Sequence, residues 1–267
     1  MNFILLIKKN ILFLFFFIFI TGALFATDEN DNEETDAIAA ASGGAGNTGN
    51  YPGLFIGLAA GYTSNNLYTS TAGRSNTEYL DGQGLEFAVP IRYEIFPWLS
   101  LQMEVQYIQK NYTWARTGAY NNIYTNVNNN FIDIPVMVNL SAGTEKARVF
   151  VNAGGYAGYW ITSRTQGTMK EITADPFNGG AYYTNFNEEI RLNETKDAAL
   201  DAGLLAGIGL QMLNDKYTFF IEGRYYYGLT DMRNKDDYGL IIPRMNSTID
   251  IRFGLFMTVD SLMETLR

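Results

Sequence analysis

Apolar and polar residues alternate with a period of two along most of the chain after Gly53. In segment 99–107, the apolar residues are Leu99, Leu101, Met103, Val105 and Tyr107, and the polar residues are Ser100, Gln102, Glu104 and Gln106. Residues 248–257 repeat this alternation. A helix would scatter the polar residues around its circumference, whereas successive side chains of a strand point to opposite faces. The pattern therefore predicts β-strands.

Eight such segments can be counted. They are Gly53–Tyr62, Gly84–Glu94, Leu99–Tyr112, Asn130–Leu140, Arg148–Ile161, Ala199–Leu213, Tyr217–Leu229 and Ser247–Val259. Their connections alternate between short turns (95–98, 141–147 and 214–216) and long polar loops (63–83, 113–129, 162–198 and 230–246). This asymmetry is typical of transmembrane barrels, whose strands need about 9–11 residues to cross the membrane.

We therefore predict an all-β fold, an eight-stranded antiparallel up-and-down transmembrane β-barrel over residues 53–259, with short periplasmic turns and long extracellular loops. An even number of strands places both termini on the side of the short turns, which is the periplasmic side.

Ten charged residues lie on the polar faces of these strands. They are Glu86, Arg92, Glu94, Glu104, Asp133, Asp201, Glu222, Arg224, Asp250 and Arg252. An arginine on the lipid-facing side near the membrane midplane costs about 2–4 kcal/mol, so we expect these residues to face the lumen. Eight strands leave an interior that side chains can fill. We expect Arg92, Arg224 and Arg252 to form a salt-bridged plug with the acids, and a path for protons, ions or a ligand remains the alternative.

Aromatic residues gather near both ends of the predicted strands. Tyr93, Phe96, Trp98 and Tyr217 lie near the short turns, and Tyr107, Tyr112, Trp114, Tyr159, Trp160, Tyr225, Tyr226 and Tyr227 lie near the long loops. Two aromatic girdles are expected at the membrane interfaces of such barrels. A soluble lipocalin-like calyx has the reverse packing, apolar inside and polar outside. Alternation alone does not separate the two folds, but the girdles and the loop asymmetry favour the membrane barrel.

The N-terminal region precedes the strand pattern. Lys8 and Lys9 are followed by an apolar run of about ten residues and then by small residues that end at Ala26, which predicts a secretory signal peptide over 1–26 for export through the Sec route. An uncleaved transmembrane anchor is the rival interpretation, but spanning needs about 20 residues. Residues 27–52 are acidic and then rich in Gly, Ala and Asn, which predicts a flexible leader.

Composition restricts the chemistry that the chain can perform. It contains no His and no Cys and carries a formal net charge of −9 over 267 residues. Without His or Cys it lacks the usual general base of hydrolases, a thiol nucleophile and the commonest zinc ligand. We therefore predict neither enzymatic activity nor a metal or cofactor site. The acidic balance argues against nucleic acid as a partner.

Four short segments resemble one family. They are 131–139 (FIDIPVMVN), 152–159 (NAGGYAGY), 201–209 (DAGLLAGIG) and 222–230 (EGRYYYGLT). In this order and spacing they resemble the small outer-membrane protein β-barrel domains, a porin-family and PorT-like group akin to the OmpA/OmpX-type eight-stranded barrels. The resemblance implies a bacterial outer-membrane location, lipid as a partner, and insertion by the barrel assembly machinery.

The last predicted strand is also similar to the insertion signal that this machinery reads. Its polar-x-Gly-x-x-apolar-x-apolar pattern fits Arg252, Gly254, Met257 and Val259. The resemblance departs at the C-terminus, because such barrels usually end at the terminal strand, whereas here residues 260–267 follow as a short extension.

The family supplies no single activity, because its members include pores, anchors and surface binders. The first hypothesis is a non-enzymatic integral outer-membrane protein whose barrel anchors exposed loops that contact host or surface ligands. The alternative is a narrow porin-like channel for ions or very small solutes. The long segment 162–198 is the best candidate for specific contact, since a connection of this length is commonly functional.

Overall fold

The computed structural model of the protein describes residues 53–69, 76–118, 122–172, 181–190, 198–214, 216–232 and 244–259. The predicted signal peptide, leader and C-terminal extension lie outside the described residues. The strands are β1 (Gly53–Thr69), β2 (Thr77–Phe96), β3 (Leu99–Gln109), β4 (Tyr112–Arg116), β5 (Tyr124–Gly143), β6 (Ala147–Ile172), β7 (Ala181–Ile190), β8 (Leu200–Leu213), β9 (Tyr217–Gly228) and β10 (Arg244–Thr258). No helix in the described ranges is long and apolar enough to cross a membrane.

Eight of these strands form a closed antiparallel ring in the order β1–β2–β3–β5–β6–β8–β9–β10. The first and last strands close it, with residue pairs that run from Phe55–Thr258 to Thr69–Arg244. Closure leaves no unpaired backbone edge within the ring, which is the requirement for strands that cross a hydrocarbon layer. The prediction of an eight-stranded antiparallel barrel is thereby confirmed.

Several predicted strand ends on the long-loop side were wrong, whereas the start of β8 and the end of β9 lie within one residue of the prediction. β1 continues to Thr69, β2 begins at Thr77 and β6 continues to Ile172. Strand pairing goes on in these parts with polar residues on both faces, so the apolar alternation that marks the strands stops before the hydrogen bonding does. The connections on the opposite side remain short, as Pro97 and Trp98 alone join β2 to β3.

Two strands lie outside the ring, in segments predicted to be loops. β4 bridges β2 and β5 beyond the end of β3. β7 pairs with the distal half of β6, from Ser163–Ile190 to Ile172–Ala181. The predicted loop 162–198 therefore contains a two-stranded hairpin rather than an irregular segment.

The two faces of the ring have opposite character. Arg252 is fully buried, whereas Leu58 is 62% exposed and Phe253 is 68% exposed on the outside. This arrangement contradicts the soluble-calyx alternative, since a soluble barrel would expose its polar face to water. The girdle prediction fails for Trp160 and Tyr226, which are buried because the strand alternation turns both side chains into the lumen.

Candidate functional site

The middle of the lumen holds two arginines on neighbouring strands, Arg224 on β9 and Arg252 on β10. Arg224 donates to both oxygens of Glu104, at 3.0 and 3.1 Å, and to both oxygens of Glu222, at 2.8 and 3.0 Å. Arg252 also donates to Glu104, at 2.9 and 2.5 Å, and to Glu222 at 3.1 Å. A further bond at 3.0 Å reaches Glu86 on β2. Planar guanidinium groups suit such multidentate contacts with carboxylates.

Neutral side chains complete this central cluster. Gln102 donates to Glu104 at 2.6 Å, and Asn152 donates to Glu222 at 2.6 Å. The Tyr226 hydroxyl accepts from Arg224 at 3.0 Å and donates to Gln106 at 3.1 Å. These partners satisfy carboxylate and guanidinium groups that would otherwise be costly to bury. The sequence prediction missed Tyr226, assigning it to the outer girdle.

Asp250 belongs to the same layer, because it pairs with Arg224 in the strand register. It is fully buried, yet neither carboxylate oxygen has a hydrogen-bond partner among the described residues. The guanidinium of Arg224 turns away from it toward Glu104 and Glu222. Asp250 is therefore buried beside the central cluster but accepts no hydrogen bond from its described residues.

Arg92 and Glu94 lie apart from this cluster, close to the short turns. Their ion pair measures 3.3 Å. Arg92 also donates to Gln211 at 3.1 Å and stacks over the Phe256 ring at 4.1 Å. Arg92 thus pairs with an acid of the predicted set, as expected, but among the described residues it forms no ion pair with the acids that bind Arg224 and Arg252.

Asp133 and Asp201 lie near the opposite end and share a cation that the sequence prediction missed. The Lys110 ammonium is 2.7 Å from each carboxylate and is fully buried. The same ammonium lies over the Phe131 and Tyr156 rings, at 4.9 and 4.4 Å. The signal was present in the sequence, since the inward alternation of β3 continues through residues 104, 106 and 108 to 110.

Apolar clusters close the lumen on both sides of the central charges. Toward the short turns they comprise Ala59, Ala88, Phe150, Phe220 and Phe256. Toward the long loops they comprise Leu67, Ile108, Phe131, Met137, Tyr156, Trp160, Leu205, Tyr226 and Met232. Charged layers and apolar layers therefore alternate along the barrel, and the lumen is packed like a protein core.

The residues of the predicted insertion signal have different environments. Arg252 faces the lumen and Gly254 lies beneath the Phe220 ring, where an added Cβ would come within 2.6 Å. Met257 is half-buried near the end of β10, and Val259 follows the last strand residue. Within the described ranges, no group of three or more acidic side chains is arranged to hold a metal ion.

Comparison with known proteins places the chain in a family. The model of a family described as "Outer membrane protein beta-barrel domain" matches residues 49–234. No curated protein sequence matches the chain.

Solved structures that resemble the chain share little of its sequence. They include Neisserial surface protein A, with 11% identity and a TM-score of 0.40 over 76% of this chain and 96% of that one. Ail from Yersinia pestis shows 11% identity and a TM-score of 0.36 over 77% and 99%. OprG from Pseudomonas aeruginosa shows 10% identity and a TM-score of 0.39 over 77% and 93%. These likenesses carry no information about function. With the family match spanning most of the chain, the protein belongs to the outer membrane protein β-barrel domain family and is an integral protein of the bacterial outer membrane.

Proposed function

We propose that the protein is a non-enzymatic anchor, in which a closed barrel holds the structures at its long-loop end on the cell surface. One observation carries the proposal: charged and apolar side chains are packed in the lumen along the part of the ring that the structure describes. Arg224, Arg252 and Lys110 are all fully or almost fully buried. A barrel filled in this way is suited to rigid support rather than to transport.

The orientation follows from the connections. Both termini of the barrel, Gly53 and Thr258, lie at the end with the short turns. Outer-membrane barrels place their short turns in the periplasm, so we assign both termini to that side. With this orientation the predicted leader lies on the periplasmic side, and the β6–β7 hairpin lies on the outer side of the membrane.

The β6–β7 hairpin is the part of the described chain best placed to contact a ligand. Its strands extend beyond the ring, and Tyr182 and Tyr183 are about half-exposed. Exposed tyrosines provide large contact areas at a low entropic cost. We propose that this hairpin, together with the other connections at the same end, meets host or cell-surface ligands.

Assembly and catalysis complete the proposal. We assign Arg252, Gly254, Met257 and Val259 to recognition by the barrel assembly machinery, since their spacing fits the insertion pattern. Enzymatic activity is not part of the proposal, because the chain contains neither His nor Cys. The charged residues of the lumen serve as structural partners of one another.

A narrow channel is the second candidate, favoured by the surplus of acids. The ten predicted lumen residues and Lys110 comprise seven carboxylates and four cationic groups, and a surplus of negative charge attracts cations. Planar-bilayer recording of the refolded chain separates the two functions. The anchor predicts no reproducible single-channel steps. Steps that weaken on neutralisation of Glu104 or Asp133 would overturn it.

The assigned orientation has its own test, which the absence of native Cys makes simple. Asn187 is exposed on β7, and Glu145 is exposed in the turn between β5 and β6. A membrane-impermeant maleimide should label Asn187→Cys in intact cells and label Glu145→Cys only after the outer membrane is opened. The reverse pattern would invert the assigned topology.

A further inference from the structure

The starting observation is a buried acid without a protein partner. Asp250 is fully buried, and no described residue donates a hydrogen bond to either of its oxygens. Arg224 is its register partner on β9, but all three guanidinium nitrogens of Arg224 bind other acceptors. Buried carboxylates are normally paired with a cation or satisfied by several donors.

A second carboxylate oxygen is in the same condition. Glu86 on β2 is fully buried, and its Oε1 accepts from Arg252 at 3.0 Å. Its Oε2 is buried without a hydrogen-bond partner. The unpartnered oxygens of Glu86 and Asp250 therefore come from strands on opposite sides of β1.

Gly61 on β1 brings these two oxygens to one place. A Cβ added at Gly61 would lie 2.5 Å from Oδ1 of Asp250 and 2.9 Å from Oε2 of Glu86. A side chain at this position would clash with both oxygens and with the Cβ of Arg252, so glycine is what lets the two oxygens approach the same point on β1. Oxygen ligands bind Ca²⁺ at about 2.3–2.6 Å, and Na⁺ has a similar radius, so small shifts of the two side chains would let one such ion contact both oxygens.

The surrounding layer contains more negative than positive groups, and a bound cation would reduce this imbalance. Four carboxylates, those of Glu86, Glu104, Glu222 and Asp250, face two guanidiniums, those of Arg224 and Arg252. Glu104 and Glu222 each bind both arginines. The uncompensated negative charge is therefore concentrated at Asp250 and at the free oxygen of Glu86, where burial makes it most costly.

We propose that Glu86 and Asp250 bind one small monovalent cation over Gly61, inside the barrel. A monovalent ion is favoured because stripping water from a divalent ion costs far more, and two carboxylate oxygens fall well short of the six to eight ligands that Ca²⁺ takes. The ion would neutralise part of the layer and join β2 to β10 across β1. The site is independent of the proposed anchoring function, since it concerns the stability of the ring.

Thermal unfolding of the full-length exported chain, refolded in detergent, tests the site. Samples in sodium chloride and in choline chloride are compared at equal ionic strength, because choline is too large to bind between two buried carboxylates. We expect the unfolding temperature to be higher in sodium and to rise in proportion to the logarithm of its concentration above the Kd. Asp250→Asn and Glu86→Gln should abolish the difference, and Glu188→Gln on the exposed surface of β7 should preserve it.

Two results would overturn the proposal. Equal unfolding temperatures in sodium and choline would mean that the carboxylates are neutralised by a proton instead. Stabilisation by Ca²⁺ at concentrations far below those needed for sodium would assign the site to a divalent ion. If the variants do not refold, crystals of the wild-type protein soaked in Tl⁺ decide the question, since an anomalous peak beside Gly61 supports the site and its absence overturns it.

Discussion

Glu104 on β3 and Arg252 on β10 are bound to each other across the lumen, with Nη1 and Nη2 of the arginine 2.9 and 2.5 Å from the two carboxylate oxygens. Their strands are not neighbours, because β1 and β2 lie between them in the ring. The contact is therefore a crosslink through the interior rather than part of a strand pair. Backbone pairing fixes neighbouring strands, and this cluster fixes the shape of the ring across its width.

Replacing Glu104 with Gln should destabilise the barrel strongly. Arg224 and Arg252 would each lose a charged acceptor while remaining buried, and removing one partner from a buried ion cluster costs about 3–5 kcal/mol. The urea midpoint of unfolding in lipid vesicles, followed by tryptophan fluorescence, measures the effect. Glu188→Gln is the matched control, because Glu188 is exposed on β7 and surface substitutions stay within about 0.5 kcal/mol. Equal midpoints for both variants would contradict the role of Glu104.

Lys110, near the other end of the lumen, should contribute about as much to the stability of the barrel as Glu104 does. Its replacement by Met keeps most of the apolar stem but leaves Asp133 and Asp201 buried together without their shared cation. We expect a loss of about 3–5 kcal/mol in the free energy of unfolding. Adding Asp133→Asn to Lys110→Met should recover part of this loss, since the variant then buries one charge fewer.

The control for Lys110 is Lys146→Met, which makes the same chemical change at an exposed position in a short turn. Its free energy of unfolding should equal that of the wild type within about 0.5 kcal/mol. If Lys110→Met is no more harmful than Lys146→Met, the ion pairs of Lys110 with the two aspartates contribute nothing to stability.

The sequence predicted the fold because alternation in a membrane barrel is nearly free of exceptions. An inward charge such as Glu222 cannot move to the lipid side without a large cost, so the faces of the strands can be assigned residue by residue. Strand ends at the long-loop side were not predictable in this way. There, water solvates both faces, so residues 162–172 pair as a strand without an alternating pattern.

Which side chains contact one another inside the lumen was harder to predict from the sequence than which face of its strand each side chain occupies. Parity shows that Arg92 and Arg252 point inward, but not that Phe256 lies above Arg92 and separates it from the central cluster. That separation depends on the stagger between strands, which the register fixes only once the ring is closed. Lys110, by contrast, was predictable from parity alone and was missed because the inward alternation of its strand was not followed to its end.

Two glycines on strands give a test of how tightly the lumen is packed. A Cβ added at Gly158 would lie 2.0 Å from Oδ1 of Asp133, whereas one added at Gly223 meets nothing within 4 Å. Gly158→Ala should therefore cost about 1–3 kcal/mol through overpacking, because Asp133 is held by Lys110 and has no room to retreat. Gly223→Ala should be neutral or stabilising by about 0.4–1 kcal/mol. Urea midpoints for the two variants give the comparison, and similar midpoints would mean that the Asp133 side chain is free to move.

The outward face of β8 gives a test of the membrane-embedded belt. Ile208 is 60% exposed near the middle of β8, where the strand meets hydrocarbon in an outer-membrane barrel. Ile208→Arg should lower the free energy of unfolding in lipid vesicles by about 2–4 kcal/mol. The matched change Gln166→Arg lies in the polar extension of β6, where water or lipid headgroups solvate the new charge, and should cost less than about 1 kcal/mol. In lipid vesicles the free energies of unfolding of the two variants should differ clearly, whereas in denaturant without lipid the two variants should behave alike. An Ile208→Arg variant as stable in lipid as Gln166→Arg would place β8 outside the hydrocarbon layer.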